Sequence, residues 1–362
     1  MPQLDRRAAT LALASLALHL LPGCSKQSAA ADGADAGPAA AKAEAAGPLT
    51  LQGSGASFPA PLYSRWFREF SNKNPNLRVN YQATGSGAGI KAFTAGQTDF
   101  GASDAAMSDE EIKAAQGNVV LLPMTAGHVV LAYNLPEVKD LKLSREAYTG
   151  IFLGEITKWN DPKIAASNPG ATLPATSITP VNRSDGSGTT FVFTQHLSAI
   201  SEKWKSGPGT GKSVTWPAKT AVGGAKNDGV AALVQRTPGA IGYIEYVFAA
   251  TSGQPTALLE NKAGKFVAPT PAAAAAALAH VELPEDLRAW VTDPQGDDVY
   301  PIATYTWILA KKRYADKTKA DAVKSLVKWC LGEGQTLASS LHYLPLPANV
   351  VERVRKAAET IE

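Results

Sequence analysis

Apolar and polar positions along this chain follow two alternating rhythms. Over 77–83 (L-R-V-N-Y-Q-A) they alternate one by one, the period of a strand with one buried face. Short apolar runs at 49–53, 99–103, 119–124, 128–134, 178–181, 240–246 and 300–310 predict further strands, the last the strongest. Helical stretches separate them at 59–73, 87–95, 189–197, 228–236, the Ala-rich 271–280, and 350–361. The prolines of 59–73 stand in its first turn, where they are tolerated. Ser108-Asp109-Glu110-Glu111 is a capping box that opens one more helix. At 318–331, Val323, Leu326, Val327 and Cys330 form an apolar stripe, with Gly332 as the expected C-cap. Strands alternating with helices predict an α/β fold with a largely parallel sheet. About 310 residues of this alternation exceed one ordinary domain, so two lobes are expected. The chain shows no internal sequence repeat.

The N-terminal segment breaks the rhythm. Arg6-Arg7 precede an apolar run from Ala8 to Leu21, interrupted only by Thr10, Ser15 and His19 and too short to cross a bilayer as a lasting helix. Charge, apolar run and small residues in that order form a secretory signal. The run ends in Leu21-Pro22-Gly23-Cys24, which resembles a lipobox. Residues 1–23 are therefore expected to be a lipoprotein signal peptide, with a diacylglyceryl group on Cys24. A plain signal peptide with an incidental Cys is the alternative, and the residues around Arg6-Arg7 match a twin-arginine signal poorly. Gln27 to Gly47 holds 11 Ala in 21 residues and almost no large apolar side chain. Residues 24–48 thus read as a lipidated Cys followed by a flexible tether.

Charge and cysteine content narrow the function. Lys+Arg is 35 against Asp+Glu 32, a formal net charge of +3, without the basic excess of a nucleic-acid binder. Cleavage before Cys24 would remove Asp5, Arg6 and Arg7 and leave +2. The 2 cysteines, Cys24 and Cys330, exclude a disulfide scaffold and a Cys-based zinc site. The 5 histidines are scattered without metal-ligand spacing.

Three turns share one design, small residues with a hydroxyl directly before a helix: Gly53-Ser54-Gly55-Ala56-Ser57-Phe58-Pro59, Gly85-Ser86-Gly87-Ala88-Gly89, and Arg183-Ser184-Asp185-Gly186-Ser187-Gly188-Thr189-Thr190. A helix N-terminus presents free N–H groups and a partial positive charge, and glycines let an anion approach closely. One such turn is explained by ordinary capping; three, one of them with an Arg, point to an anion site. Two further motifs are decoys. Gly209-Thr210-Gly211-Lys212-Ser213 ends like a phosphate loop, but Ser206 stands where its first Gly belongs and Val214-Thr215-Trp216-Pro217 follows in place of a helix. Gly85 to Gly89 has Ile90 where a dinucleotide fingerprint needs Gly or Ala. No G-x-S-x-G elbow is present, and helix capping accounts for Asp109-Glu110-Glu111.

Longer motifs then carry a resemblance. Gly55-Ala56-Ser57-Phe58-Pro59-Ala60-Pro61, Asp99-Phe100-Gly101-Ala102-Ser103-Asp104, the Arg183 to Thr189 turn, Asn227-Asp228-Gly229, Gln235 to Tyr243 and Tyr300-Pro301-Ile302 resemble the phosphate-binding proteins of bacterial Pst ABC transporters, from about Leu49 to Ile361 and in family order. The resemblance implies a two-lobed periplasmic-binding-protein fold with a ligand cleft between lobes. It implies chain crossings near Met124–Gly127 and Tyr300–Ile302, hence lobe 1 at 49–125 plus 301–362 and lobe 2 at 126–300. The phosphate ligands it implies are Ser57 (N–H and hydroxyl), Phe58 (N–H), Ser86 (N–H and hydroxyl), Asp104 as acceptor, the Arg183 guanidinium, and Ser187, Gly188 and Thr189 (N–H groups, with hydroxyls from Ser187 and Thr189). Asp185 is expected to hold Arg183 in place. Ser57 stands where many members have Thr, and Gly87 where some have a second Ser.

The implied set has the chemistry of a small oxyanion site, with donors far outnumbering acceptors. An Asp104 carboxylate accepts a proton from mono- or dibasic phosphate and repels fully ionised sulfate. The resulting expectation is a monomeric, lipid-anchored receptor on the periplasmic or cell-surface side of a bacterial membrane. It captures inorganic phosphate for separate permease subunits, without a cofactor, metal, nucleic acid or catalytic residue. A phosphate-sensing or surface-adhesion lipoprotein and a secreted phosphatase on the same fold are the competing readings, and arsenate competes with phosphate as ligand.

Overall fold

The computed structural model describes residues 47–279 and 281–362. The expected signal peptide, Cys24 and the tether up to residue 46 lie outside the described residues. Among the described residues, no helix is long and apolar enough to cross a membrane.

The alternation of strands and helices produces a two-lobed α/β fold built on one eight-stranded sheet. Its strand order is Leu77–Ala83, Leu49–Gly55, Phe100–Ser103, Ala303–Ala310, Val120–Tyr133, Ala240–Glu245, Thr179–Arg183 and Val222–Gly224. At one end Leu49–Gly55 lies between Leu77–Ala83 and Phe100–Ser103, parallel to both. At the other, Thr179–Arg183 lies between Val222–Gly224 and Ala240–Glu245, again parallel to both. The helices Ala60–Lys73, Ser86–Thr94, Gly188–Ile200 and Lys226–Arg236 supply the crossovers that parallel strands need. Within each triplet the C-terminal strand ends therefore share one edge, the edge at which open α/β sheets bind ligands.

The middle of the sheet departs from the expected parallel arrangement. Ala303–Ala310 runs antiparallel to both Phe100–Ser103 and Val120–Tyr133, and Val120–Tyr133 runs antiparallel to Ala240–Glu245. Two strands were expected at 119–124 and 128–134; one continuous strand of 14 residues stands there. Its first part pairs with Ala303–Ala310 as far as His128, and its second part, from Val129, pairs with Ala240–Glu245. The small residues Thr125-Ala126-Gly127 interrupt the apolar pattern without interrupting the strand. At Gly127 the reason is space: a Cβ would lie 2.9 Å from the Phe58 ring and 3.1 Å from Glu245 Oε1.

Most other predicted elements form within a few residues of expectation. Ser108 caps Asp109–Ala114 with the full box, Ser108 Oγ accepting from Glu111 N–H and Glu111 accepting from Ser108 N–H. The stripe Val323, Leu326, Val327 and Cys330 is buried along Lys317–Cys330, with Leu331 at the cap and Gly332 just beyond. The helix Arg145–Leu153, capped by Ser144, was not marked by the hydrophobic pattern; six of its nine residues are buried, so no polar face is left to show its period. Aromatic clusters pack each half: Tyr63, Phe67, Tyr81 and Phe100 in one, Phe152, Phe193, Trp216 and Tyr243 in the other. The decoy 209–213 forms bends with no helix after it.

Candidate functional site

The three hydroxyl turns follow strand ends on the two facing edges, and the fold brings them together. Ser57 and Phe58 lie between Leu49–Gly55 and Ala60–Lys73; Ser86 opens Ser86–Thr94; Asp104 follows Phe100–Ser103. From the other half, Arg183 ends Thr179–Arg183 and Ser187 caps Gly188–Ile200. Gly87 N–H donates across the cleft to the Gly186 carbonyl at 2.8 Å. Gly188 fits only because it lacks a side chain: a Cβ would lie 2.6 Å from Ser86 Oγ and 2.7 Å from Asp104 Cβ. Ser57, Ser86, Asp104, Arg183, Ser187, Gly188 and Thr189 are all buried at this meeting.

The donors there are in part uncommitted. Among the described residues, no backbone or side-chain acceptor takes the N–H groups of Ser57, Phe58, Ser86, Gly188 or Thr189. Three of these belong to first helical turns, which leave their N–H groups free by construction. Ser187 differs from expectation. Its N–H donates to the Lys212 carbonyl at 2.8 Å, and its hydroxyl accepts from Thr190 N–H at 3.0 Å, so what it keeps for a ligand is the hydroxyl proton. The Phe58 ring packs toward Gly127 and Tyr343, which leaves only its N–H for the cleft.

Arg183 is held as a fork. Its Nε and Nη2 donate to the two oxygens of Asp185 at 2.8 and 2.6 Å, and Nη1 donates to Thr189 Oγ1 at 3.3 Å. A guanidinium has five N–H donors, so two remain. Burial works to raise the Asp185 carboxyl, but the Arg183 guanidinium and the Lys226 N–H outweigh it and hold the group below its ordinary value. Asp185 is thus an anion that fixes Arg183.

Asp104 is a fully buried carboxylate at this meeting of the two halves. Its Oδ1 accepts from Thr306 Oγ1 at 2.8 Å and its Oδ2 from Ser86 Oγ at 3.3 Å. Burial pushes its pKa up to about 7, against the pull of Thr306, Arg183 and Ser86. The group therefore sits near the point where it either holds or accepts a proton at neutral pH.

Two site residues, Asn227 and Thr306, carry no ligand role in the sequence pattern. Asn227 is fully buried; its Nδ2 donates to Ser57 Oγ at 3.1 Å and to Thr189 Oγ1 at 3.4 Å, while its Oδ1 accepts from Glu245 N–H at 3.0 Å. It joins the two halves and stands in the quoted motif Asn227-Asp228-Gly229. Thr306 stands inside the strongest apolar strand, where a buried hydroxyl was the available signal. Glu245 is also fully buried. Burial pushes it well above its ordinary value, and its Oε2 accepts from Val247 N–H.

Free N–H groups, hydroxyls, the Arg183 guanidinium held by Asp185, and the Asp104 carboxylate, all at strand ends and helix starts between two lobes, define a two-lobed binding protein for a small anion. Known proteins agree with that class. The PBP superfamily domain matches residues 38–333. The phosphate-binding protein PstS of Pasteurella multocida is 42% identical over 315 residues, covering 86% of this chain and 90% of the relative. PstS of Xylella fastidiosa (strain Temecula1) is 40% identical over 311 residues, covering 84% of each chain. A solved periplasmic phosphate-binding protein, PfluDING with bound phosphate, superposes with a TM-score of 0.72 at 22% identity, covering 85% of this chain and 93% of its own; it shows the shared fold. The chain belongs to the PstS family of phosphate-binding proteins within the PBP superfamily. These relatives are named as binding proteins and not as enzymes.

Proposed function

We propose that this protein is an extracytoplasmic receptor that captures inorganic phosphate and delivers it to the permease subunits of an ABC transporter. The observation that carries the reading is the juxtaposition of Asp104 with the Arg183 fork and the uncommitted N–H groups at Ser57, Phe58, Ser86, Gly188 and Thr189. The donors take the phosphate oxygens, the hydroxyls of Ser57, Ser187 and Thr189 add to them, and Asp104 takes the phosphate O–H; the Ser86 hydroxyl, expected as a ligand, is spent on Asp104 and leaves its N–H for the anion. Above the Asp104 pKa of about 7, sulfate brings no proton to that contact and sets two negative charges face to face.

The same proposal assigns lobe 1 to 49–125 plus 301–362 and lobe 2 to 126–300. The change of partner along Val120–Tyr133 and the Gly87–Gly186 hydrogen bond across the cleft support this division. It also assigns a signal peptide to 1–23, a lipid to Cys24 and a tether to 24–48. The receptor is then a lipid-anchored monomer outside the cytoplasmic membrane, working without catalysis. The test is isothermal titration calorimetry at about pH 8.5, above the Asp104 pKa, with phosphate and then sulfate, on protein unfolded and refolded to strip carried-over ligand. One-to-one phosphate binding with silent sulfate supports the receptor. A folded, ligand-free protein that gives no phosphate heat rejects it.

A further inference from the structure

The segment that ends like a phosphate loop and the acidic helix start it meets have no part in anion binding above, yet they touch. Lys212 Nζ lies 2.6 Å from Glu111 Oε1, with about a fifth and three tenths of the side chains exposed (20% and 29%). Each partner is positioned by independent contacts. Glu111 Oε2 accepts from Ser108 N–H at 3.0 Å in the capping box, which leaves Oε1 aimed outward for Lys212. The Lys212 carbonyl accepts from Ser187 N–H at 2.8 Å, and the neighbouring Gly211 N–H donates to Thr194 Oγ1 at 3.1 Å. The lysine backbone is thereby fastened to the first turns of Gly188–Ile200, the helix whose start bears on Ser86 and Asp104.

We infer that Lys212 and Glu111 form a latch across the cleft mouth that holds the closed state and sets the residence time of the ligand. The inference rests on the receptor reading for its ligand, but its geometry stands apart from it. When the start of Gly188–Ile200 docks onto the opposite lobe, Lys212 is carried to a carboxylate already fixed in place. When the lobes part, the pair breaks while both side chains keep their local anchors. Lys212 is a positioning residue that acts through closure, and Glu111 combines two tasks with its two oxygens.

The test uses the full chain as wild type, Lys212→Met, Glu111→Gln and the double variant. Methionine keeps the apolar stem, and glutamine keeps an oxygen for Ser108 N–H. The first readout needs no ligand: hydrogen exchange at the Gly87 amide, which donates across the cleft. Each single variant is expected to speed that exchange about two- to five-fold, the scale of a part-exposed ion pair, with the double variant no faster than either single. The difference should shrink at high salt. Phosphate dissociation followed by stopped flow is expected to quicken by a similar factor. Unchanged Gly87 exchange in both single variants, or effects that simply add in the double, overturns the latch. A wild type that takes up no phosphate in calorimetry overturns the receptor reading instead, and the exchange comparison still decides the latch.

Discussion

Asp104→Asn tests the site through its cost to the fold. The folded protein raises Asp104 from 3.8 to about 7, chiefly by burial. At roughly 1.4 kcal/mol per unit, the buried charge costs the ligand-free fold about 4 kcal/mol above neutrality. An unfolded chain releases this proton near 3.8 and the folded one near 7, so between those values the folded state binds more protons. Stability therefore falls as pH rises from about 4 to about 7 and is level above. Asparagine resembles the protonated acid: its oxygen still accepts from Thr306, and its amide faces Ser86 Oγ. The variant, stripped of phosphate, is expected to gain up to about 4 kcal/mol at pH 8 in urea unfolding, with the gain vanishing toward pH 4. His128 and His196, which burial lowers to about 4, contribute with the opposite sign, stability rising with pH. They are common to both proteins and cancel in the difference. A variant less stable than wild type at pH 8, or a gap that does not close on acidification, refutes the argument that Asp104 is held as a costly, proton-ready carboxylate.

Three more outcomes follow from the same geometry. Arg183→Ala should weaken phosphate binding by about 1.5–3 kcal/mol, the range of a charged hydrogen bond, and unchanged affinity in calorimetry removes Arg183 from the site. Asn227→Ala leaves the buried Glu245 N–H without its acceptor and should cost about 1–3 kcal/mol in urea unfolding, together with a loss of phosphate affinity from the broken contact to Ser57. Sulfate can enter only where Asp104 itself holds a proton, so its binding should strengthen roughly tenfold for each pH unit lowered toward 7 and level off below, whereas phosphate varies much less. Calorimetry with both anions from pH 5 to 8.5 measures this, and Asp104→Asn should bind sulfate at every pH; a variant that still rejects sulfate refutes the proton-reading role.

Local physics made much of this protein legible from residue order. Apolar periodicity and caps place most strands and helices, because each element must bury a face and satisfy its ends within a few residues. The Ser108–Glu111 box and the apolar stripe of Lys317–Cys330 were readable for that reason. So was the design of the three hydroxyl turns, since helix N-termini, glycines and hydroxyls advertise anion chemistry wherever they stand. What only the tertiary structure decided is which of these turns face each other. The antiparallel centre of the sheet arises from pairings between strands far apart in sequence, and local propensity says nothing of strand direction. The continuity of Val120–Tyr133 through Thr125-Ala126-Gly127 rests on its pairing with Ala303–Ala310 and then Ala240–Glu245, and the need for glycine at 127 on Phe58 and Glu245 filling the space of a side chain. Asn227 and Thr306 became site residues only when folding set them against Ser57 and Asp104. The Ser187 amide left the donor set only when Lys212 arrived beside it. A hydrogen-bonding group's partner, and with it a carboxylate's proton affinity, is a property of three-dimensional neighbours; the residue type sets only what it can offer.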